Sequence, residues 1–200
     1  MQLIVATRNA HKTREIAKIL GSALAVRDLT AHPEIPEISE SGSSFEENAK
    51  LKAIAVSEKL PGLVIADDSG LEVEALGGAP GIYSARYAGV NASDKEKIAK
   101  LLGELAKVDA KSNGRRARFR CLLAVAREGQ ILATFEGVVE GKIAERPRGS
   151  HGFGYDPIFI PDGFEETFAE MAEELKNNIS HRARAIRQLQ AKLATFYAEV

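Results

Sequence analysis

Short apolar segments alternate with amphipathic helical patterns in the first half of the chain, and this alternation limits the fold more than any other feature. Residues 3–6 and 63–66 are continuous apolar segments, which is typical of buried strands. A helical pattern with one apolar face lies near each segment; Gly21 ends the first helix and Pro61-Gly62 ends the second. A sheet covered by helices buries both kinds of apolar face.

The second half of the chain adds a hairpin. Residues 119–126 and 131–139 are apolar strands on either side of Glu128-Gly129, which favours a tight antiparallel turn. Residues 71–75 alternate apolar and acidic side chains and predict a half-exposed strand, while residues 111–114 are the best candidate for a linker. We therefore predict a mixed α/β sheet.

Polar residues mark the expected helix starts. At these starts, four pairs have the capping-box spacing of a serine or threonine three residues ahead of a glutamate: Ser43 with Glu46, Ser44 with Glu47, Ser93 with Glu96, and Thr167 with Glu170. The last pair predicts a short acidic helix, and Ser180 is predicted to cap the last helix.

The composition excludes several functional classes. The 200 residues include 27 basic and 28 acidic side chains, a net charge of -1, which argues against a general polyanion binder. The single cysteine, Cys121, can form no internal disulfide, which fits a reducing compartment. No apolar segment approaches the ~20 residues of a membrane span, and Arg8 follows the first apolar segment too soon for a secretory leader. We expect a soluble cytoplasmic protein without a nucleic-acid or membrane partner.

The turn between the first strand and the first helix is a candidate phosphate site. It comprises Thr7, Arg8, Asn9, Ala10, His11 and Lys12. Free N–H groups and the dipole at a helix N-terminus favour anions, and Lys12 is long enough to reach a phosphate. The alternative is an ordinary turn capped by Asn9 with a solvated lysine, because the P-loop pattern is absent.

The tetrapeptide Asp67-Asp68-Ser69-Gly70 follows the second apolar strand and is a candidate metal site. Ligands usually bind at the strand ends of α/β sheets, and only one of two adjacent aspartates needs to face a cleft. Mg²⁺ prefers one or two carboxylates together with phosphates and waters, and Glu40 is a possible second ligand. The alternatives are an Asx-turn before Gly70 and a solvated loop glutamate.

Two further segments carry groups suited to a flat polar ligand. Glycines surround Phe153 and Tyr155 near Asp156, so that backbone can approach a ligand while the aromatic rings stack; alternatively, the rings belong to the core. Lys176, His181 and Arg182 form a donor-rich group near the start of the last helix, or simply exposed cations beside a helix cap.

A basic stripe of Arg116, Arg118 and Arg120 occupies one face of a predicted strand. A nucleic-acid groove is the sharper hypothesis for this stripe, and a solvated strand face is the simpler one. Acidic residues between 162 and 174 could balance its charge.

The order of these motifs and the residues within them together resemble the inosine triphosphate pyrophosphatase family, the dITP/XTP pyrophosphatases. The resembling segments are residues 6–9 with Lys12, 45–49, 66–71, 77–87, 152–159 and 179–182. The match runs essentially from end to end, and residues 77–87 are its most specific part.

The resemblance implies a fold, an activity and a partner. The expected fold is an elongated mixed β-sheet with flanking helices, forming one domain of two lobes around an active-site cleft. The expected activity is Mg²⁺-dependent hydrolysis of ITP, dITP and XTP to the monophosphate and pyrophosphate, which keeps deaminated purines out of DNA and RNA. The expected assembly is a homodimer.

The resemblance also implies roles for individual residues. Asp68 is the expected proton acceptor and, with Glu40, the expected metal ligand. Ser69 touches the substrate, and Lys52 reaches phosphate. The expected triphosphate contacts are Thr7, Arg8, Asn9, Ala10, His11 and Lys12; the residues expected around the base are Phe153, Gly154, Tyr155, Asp156, Lys176, His181 and Arg182.

This chain departs from the family pattern at Arg8, where glycine is frequent, at His11, where another small residue is frequent, and at His151, where a further glycine is frequent. Two rival functions stay open: a non-catalytic nucleotide- or RNA-binding module, and a pyrophosphatase selective for modified pyrimidines.

Overall fold

A computed structural model describes residues 2–22, 24–108 and 112–198, and these form one six-stranded mixed sheet with helices. The strands are β1 Gln2–Val5, β2 Ala25–Asp28, β3 Leu63–Val73, β4 Arg116–Arg127, β5 Gln130–Ile143 and β6 Phe159–Pro161. The helices are α1 Ala10–Leu20, α2 Phe45–Ser57, α3 Asp94–Lys107, α4 Glu173–Ile179, α5 His181–Gln190 and α6 Leu193–Ala198. The predicted mixed α/β class is confirmed.

The strand order is β2-β1-β3-β4-β5-β6. β1 is parallel to both β2 and β3, whereas β6 is antiparallel to β5. The predicted hairpin is confirmed, since β4 and β5 are adjacent and Glu128 and Gly129 between them both have positive φ. β1 ends at Val5, opposite Ile65, so β3 continues past the end of its parallel neighbour.

β3 corrects one prediction. The sequence suggested a strand end and turn at Asp67-Asp68-Ser69-Gly70, but the strand is continuous from Leu63 to Val73. An Asx-turn needs the aspartate side chain to accept from nearby backbone. Here both aspartates accept from lysine ammonium groups, so the backbone stays extended.

Two predicted helix caps are confirmed, and one predicted helix start is wrong. Ser93 and Glu96 form a complete capping box at α3, and Ser44 caps α2. Thr167 N does donate to Glu170 Oε2, but no helix starts there. The backbone donors of Phe168 and Ala169 are taken by the carbonyls of Phe159 and Asp156, so α4 begins only at Glu173.

The described chain forms two compact units, each with its own core. The first lies within residues 1–68, 121–137 and 181–200, and the second within residues 69–120 and 138–180. In the first unit, α1 packs against α5 and β2. Its core includes Leu3, Ile16, Leu63, Leu123 and Ile186.

The second unit has an aromatic core. The Phe119 and Phe159 rings meet edge to face with centroids 4.7 Å apart, and Phe168 and Leu101 are buried beside them. The proposed linker at residues 111–114 lies partly outside the described residues. Within the described ranges, no helix is both long and apolar enough to cross a membrane.

Candidate active site

The candidate phosphate turn forms the exposed start of α1. Asn9 caps the helix: its Oδ1 accepts from His11 N at 3.0 Å and from Lys12 N at 3.3 Å. Thr7 Oγ1 in turn accepts from Asn9 N at 3.1 Å. Ala10 opens the helix, and residues 8–11 are exposed. This end of α1 is therefore exposed, but Asn9 already occupies the N–H groups of His11 and Lys12, as in the alternative of an ordinary capped turn.

Arg8 is hydrogen-bonded to a neighbouring segment of the chain. Its Nη2 donates to the carbonyls of Ile35 at 2.6 Å and His32 at 3.2 Å. Both carbonyls belong to the segment between β2 and α2, which also carries Glu40. The arginine therefore ties the phosphate turn to the loop that presents a candidate metal ligand.

Asp67 is fully buried and accepts hydrogen bonds on both oxygens. Oδ1 accepts from Lys12 Nζ at 2.6 Å, and Oδ2 accepts from Arg182 Nε at 2.8 Å and from Cys121 Sγ at 3.2 Å. Burial alone would raise the pKa of this carboxyl, but Arg182 and Lys12 outweigh burial and hold the pKa well below its ordinary value. Asp67 is therefore a fixed anion that holds the predicted phosphate lysine.

Arg182 lies at the start of α5 and is only 2% exposed. Its Nη1 donates to Glu15 of α1, and its Nε donates to Asp67. His181 beside it is also buried. The family resemblance implied base contacts for both residues. Within this unit, the Arg182 guanidinium binds the carboxylates of Asp67 and Glu15.

Lys52 of α2 brings the predicted metal ligands together. Its Nζ donates to Glu40 Oε1 at 2.9 Å and to Asp68 Oδ1 at 2.8 Å, as well as to the Asp67 carbonyl at 2.9 Å. Burial would lower the pKa of this ammonium, but Asp68 and Glu40 outweigh burial and raise the pKa. Lys52 therefore carries its charge between two carboxylates.

Asp68 is buried, and one of its two carboxylate oxygens accepts no hydrogen bond from the described residues. Its Oδ2 is buried and has no hydrogen-bond partner among the described residues. Burial raises the pKa of the carboxyl above its ordinary value despite the nearby lysines, and Glu40 adds to the rise. This is the environment of a carboxylate suited to accept a proton.

Glu40 and Asp68 fit a Mg²⁺ ion that has further ligands. Both offer hard carboxylate oxygens at the same ammonium group, and no described residue pairs with Asp68 Oδ2. Within the described ranges, no cluster of three or more His, Cys, Asp or Glu side chains could hold a metal. Phosphate oxygens and waters would have to complete the coordination, which is common for Mg²⁺.

The second unit holds the glycine-rich candidate segment. Asp156 Oδ2 accepts from Lys176 Nζ at 2.6 Å and from Phe153 N at 2.8 Å. The Lys176 ammonium lies 5.2 Å from the centre of the Phe153 ring. Lys176 and Asp156 are both buried, whereas Phe153 and Gly154 are half-buried. These residues form a compact polar group beside one aromatic ring.

Two other residues predicted in this unit differ in exposure. Ser69, on β3, is half-buried. Tyr155 is 4% exposed and part of the core, with its hydroxyl donating to the Ser84 carbonyl at 3.0 Å. The simpler hypothesis, that this ring belongs to the core, is confirmed.

Two members of this buried charge network, Asp67 and Glu15, have no predicted role. A signal for Glu15 was available: it lies four residues before Ile19, so it falls beside the apolar face of α1. A charged residue at such a position needs a buried partner. The sequence did not show that the partner is Arg182.

The basic stripe is neutralised by carboxylates. Arg118 Nε and Arg120 Nη1 both donate to Glu72, at 2.6 and 3.2 Å, and Arg116 Nη1 donates to Asp162 Oδ1 at 2.8 Å. A cavity of about 390 Å³ beside the stripe is lined by Glu74 and Glu140 as well as by arginines. This mixed charge disfavours a phosphate-binding groove.

Comparison with known proteins gives consistent matches. The model of the Ham1 family matches residues 3–192. The dITP/XTP pyrophosphatase of Geobacillus kaustophilus is 50% identical over 189 residues, which cover 94% of this chain and 92% of that protein. The dITP/XTP pyrophosphatase of Bacillus subtilis is 49% identical over 189 residues, 94% of each chain.

Solved structures agree with the sequence matches. A HAM1 protein from Coxiella burnetii has a TM-score of 0.86 at 40% identity, covering 98% of this chain and 99% of that one. The Staphylococcus aureus Ham1 protein has a TM-score of 0.84 at 42% identity, with the same coverage. The predicted family resemblance is confirmed.

Proposed function

The chain belongs to the Ham1 family, and from that premise we propose that it is a nucleoside-triphosphate pyrophosphatase acting on non-standard purine nucleotides. The proposed substrates are ITP, dITP and XTP, and the proposed products are the monophosphate and pyrophosphate. The observation that carries the proposal is the Lys52 ammonium, which holds Glu40 and Asp68 at one place. Two carboxylates so placed suit a reaction that needs a proton acceptor and a divalent cation.

Asp68 is the proposed acceptor of the proton from the attacking water. Lys52 engages its Oδ1, which leaves Oδ2 for the water. Burial raises the pKa of the carboxyl, and this makes it a stronger base than an ordinary aspartate. Lys52 also fixes the carboxyl orientation, because it is itself bound to Glu40 and to the backbone of Asp67.

Glu40 and Asp68 are the proposed residues that hold Mg²⁺. When bound, Mg²⁺ offsets the negative charge that an attacking oxygen meets at a triphosphate. The positive charge of Lys52 reduces repulsion between the two carboxylates before any cation arrives.

The exposed N-terminus of α1 is the proposed triphosphate site. The helix dipole at this exposed end favours an anion, and the Lys12 ammonium, which is paired with Asp67, is the cation beside it. Asp67 restricts the Lys12 ammonium to one position, 2.6 Å from Oδ1. Ser69 and Lys52 are the other residues for which we propose substrate contact.

The residues proposed to surround the base are Phe153, Gly154, Tyr155, Asp156, Lys176, His181 and Arg182. In the second unit, Phe153 offers a ring for stacking and Lys176 a donor for an acceptor oxygen at position 6 of the purine. Because Asp156 holds Lys176 at 2.6 Å, the donor is fixed before the base arrives.

A substrate panel tests the proposal against its rivals. The purified protein with Mg²⁺ is expected to release pyrophosphate and monophosphate from ITP, dITP and XTP. A nucleoside diphosphate as the main early product would overturn the proposed bond cleavage. Turnover confined to modified pyrimidine triphosphates would favour the pyrimidine enzyme, and salt-sensitive RNA binding without turnover would favour the binding module.

We further propose the homodimer, the cytoplasmic location and the removal of deaminated purines from nucleotide pools that the family resemblance implies. Light scattering coupled to size exclusion tests the dimer, for which a mass near twice 21.6 kDa is expected. A monomeric mass at micromolar concentration would overturn that part of the proposal.

A further inference from the structure

Residues 77–87, the most specific motif of the sequence, have no part in the proposed mechanism. In the structure they include a 3-10 turn, Gly81–Arg86, whose only buried member is Ser84. Tyr83, next to it, is 56% exposed. The motif therefore places one serine inside the second unit while its neighbours stay near the surface.

The Ser84 hydroxyl joins this turn to β3. Its Oγ accepts from Leu71 N at 3.0 Å and donates to the Gly81 carbonyl at 2.6 Å. Leu71 is fully buried, so without this hydroxyl its N–H would lose its partner in a place that water does not reach. The turn is thereby fixed against the strand.

The Ser84 carbonyl joins the same turn to the glycine-rich loop. The buried Tyr155 hydroxyl donates to it at 3.0 Å. Tyr155 lies two residues after Phe153 and directly before Asp156. Phe153 and Asp156 are the aromatic and acidic residues proposed to contact the base. The loop has a second outside anchor at Gly154 N, which donates to Asp94 Oδ2 at 2.6 Å.

We propose that Ser84 is a positioning residue for the nucleotide base, which acts through Tyr155 to hold the loop that carries Phe153 and Asp156. The inference rests on the proposed function, because it takes this loop as the base site. Tyr155 then contributes through its hydroxyl to the shape of the site, with its ring in the core. Residues 77–87 thereby hold in place the glycine-rich loop that carries Phe153 and Asp156, called the base loop below.

Tyr155→Phe is the decisive variant, because it removes one hydroxyl and keeps the ring in the core. Loss of one buried hydrogen bond is expected to raise KM for ITP about 3–10-fold, with kcat within about twofold of wild type. Tyr83→Phe is the matched control: it removes an exposed hydroxyl from the same motif and should leave both constants unchanged.

Product binding separates positioning from a general structural effect. IMP carries the base and pyrophosphate does not, so calorimetric titration of Tyr155→Phe should show weaker IMP binding and unchanged pyrophosphate binding. Ser84→Ala should behave in the same way, and Ser84→Thr, which keeps the hydroxyl, should restore IMP binding at least in part.

The binding results decide between a positioning role and no role for Ser84. Unchanged IMP binding in Tyr155→Phe overturns the inference, and so does an equal loss of IMP and pyrophosphate binding. A rise in KM in Tyr83→Phe as large as that in Tyr155→Phe also overturns it. If wild-type protein binds IMP but releases no pyrophosphate from ITP, the proposed reaction fails and the IMP titrations still test the role of Ser84. If wild-type protein binds no IMP, the inference is overturned.

Discussion

The Arg182 guanidinium and the Asp67 carboxylate are buried against each other, with Nε and Oδ2 2.8 Å apart. Arg182 also donates to Glu15 on α1, and Asp67 also accepts from Lys12 on the same helix. Two cations and two anions thus form a network joining α1, β3 and α5, in which Arg182, Asp67 and Glu15 are buried and Lys12 is half-buried. Such a network is costly to break on one side only, because the remaining charges stay buried without a partner.

Arg182→Ala should therefore destabilise the protein. We expect the free energy of unfolding to fall by about 3 kcal/mol, since Asp67 and Glu15 both lose a partner. Urea denaturation checks this, with Arg187→Ala, an exposed arginine on the same helix, as the control that changes little. A stable Arg182→Ala protein would show that the network contributes little to folding. It would also leave that variant fit for testing base contacts.

Asp67 should make stability depend on pH in the acid range. Its folded pKa lies well below the ordinary value of 3.8, so its stabilisation is complete above that value and is lost as pH falls through the folded pKa. Melting temperatures of wild type should thus drop steeply below about pH 4, where the unfolded carboxyl takes up its proton. Asp67→Asn should melt lower at pH 7 and show a shallower acid slope; parallel slopes would contradict the assignment.

Asp68→Asn should abolish most turnover while the fold survives. The amide keeps the shape of the carboxyl, but it can neither accept the proton nor bind Mg²⁺ well, so kcat should fall at least about 100-fold. Removing a buried charge also relieves its desolvation, so the melting temperature should not fall far. Glu74→Gln, an exposed carboxylate further along the chain, is the control. Near wild-type kcat at saturating Mg²⁺ would exclude the proposed role.

Two glycines of the base loop form a matched pair. Both Gly152 and Gly154 have positive φ, so alanine strains the backbone at either position. A methyl at Gly152 would collide with Asp156 Oδ2, whereas one at Gly154 meets nothing within 4 Å. Gly152→Ala should thus displace Asp156 from Lys176 and raise KM for ITP well beyond the effect of Gly154→Ala. Equal KM values would show that the position of Asp156 does not matter to substrate.

ATP should be a very poor substrate compared with ITP. Lys176 and the residues proposed around the base offer donors, which suit the 6-keto oxygen of hypoxanthine and xanthine. Adenine presents an amino group there, and each buried group left unpaired costs about 1–3 kcal/mol, so kcat/KM should differ at least about 100-fold. GTP keeps the 6-keto oxygen, so these donors do not reject it. Comparable kcat/KM for ATP and ITP would contradict this account of the base site.

Local chemistry was predictable at many positions. The apolar segment at residues 63–66, the Ser93 and Glu96 capping box and the Glu128-Gly129 turn all lie where the sequence placed them. The prediction of a strand end at Asp67 was wrong, because the apolar segment ends at Ala66 whereas the buried strand continues through two aspartates that are paired with lysines. The lysines that keep the backbone extended come from α1 and α2.

The fold class, the family and the residue types available for chemistry can be predicted from the amino-acid order, since periodicity, caps and motifs are local properties of a chain. Which charges meet depends on how distant segments pack. Asp67 and Arg182 are 115 positions apart, and Lys52 reaches Asp68 across 16. Both Asp67 oxygens are paired, whereas Asp68 Oδ2 has no partner among the residues that the structure describes, and this difference depends on which elements pack beside each carboxylate. Burial and the distance to the nearest cation set its pKa, and neither quantity exists until the chain has folded.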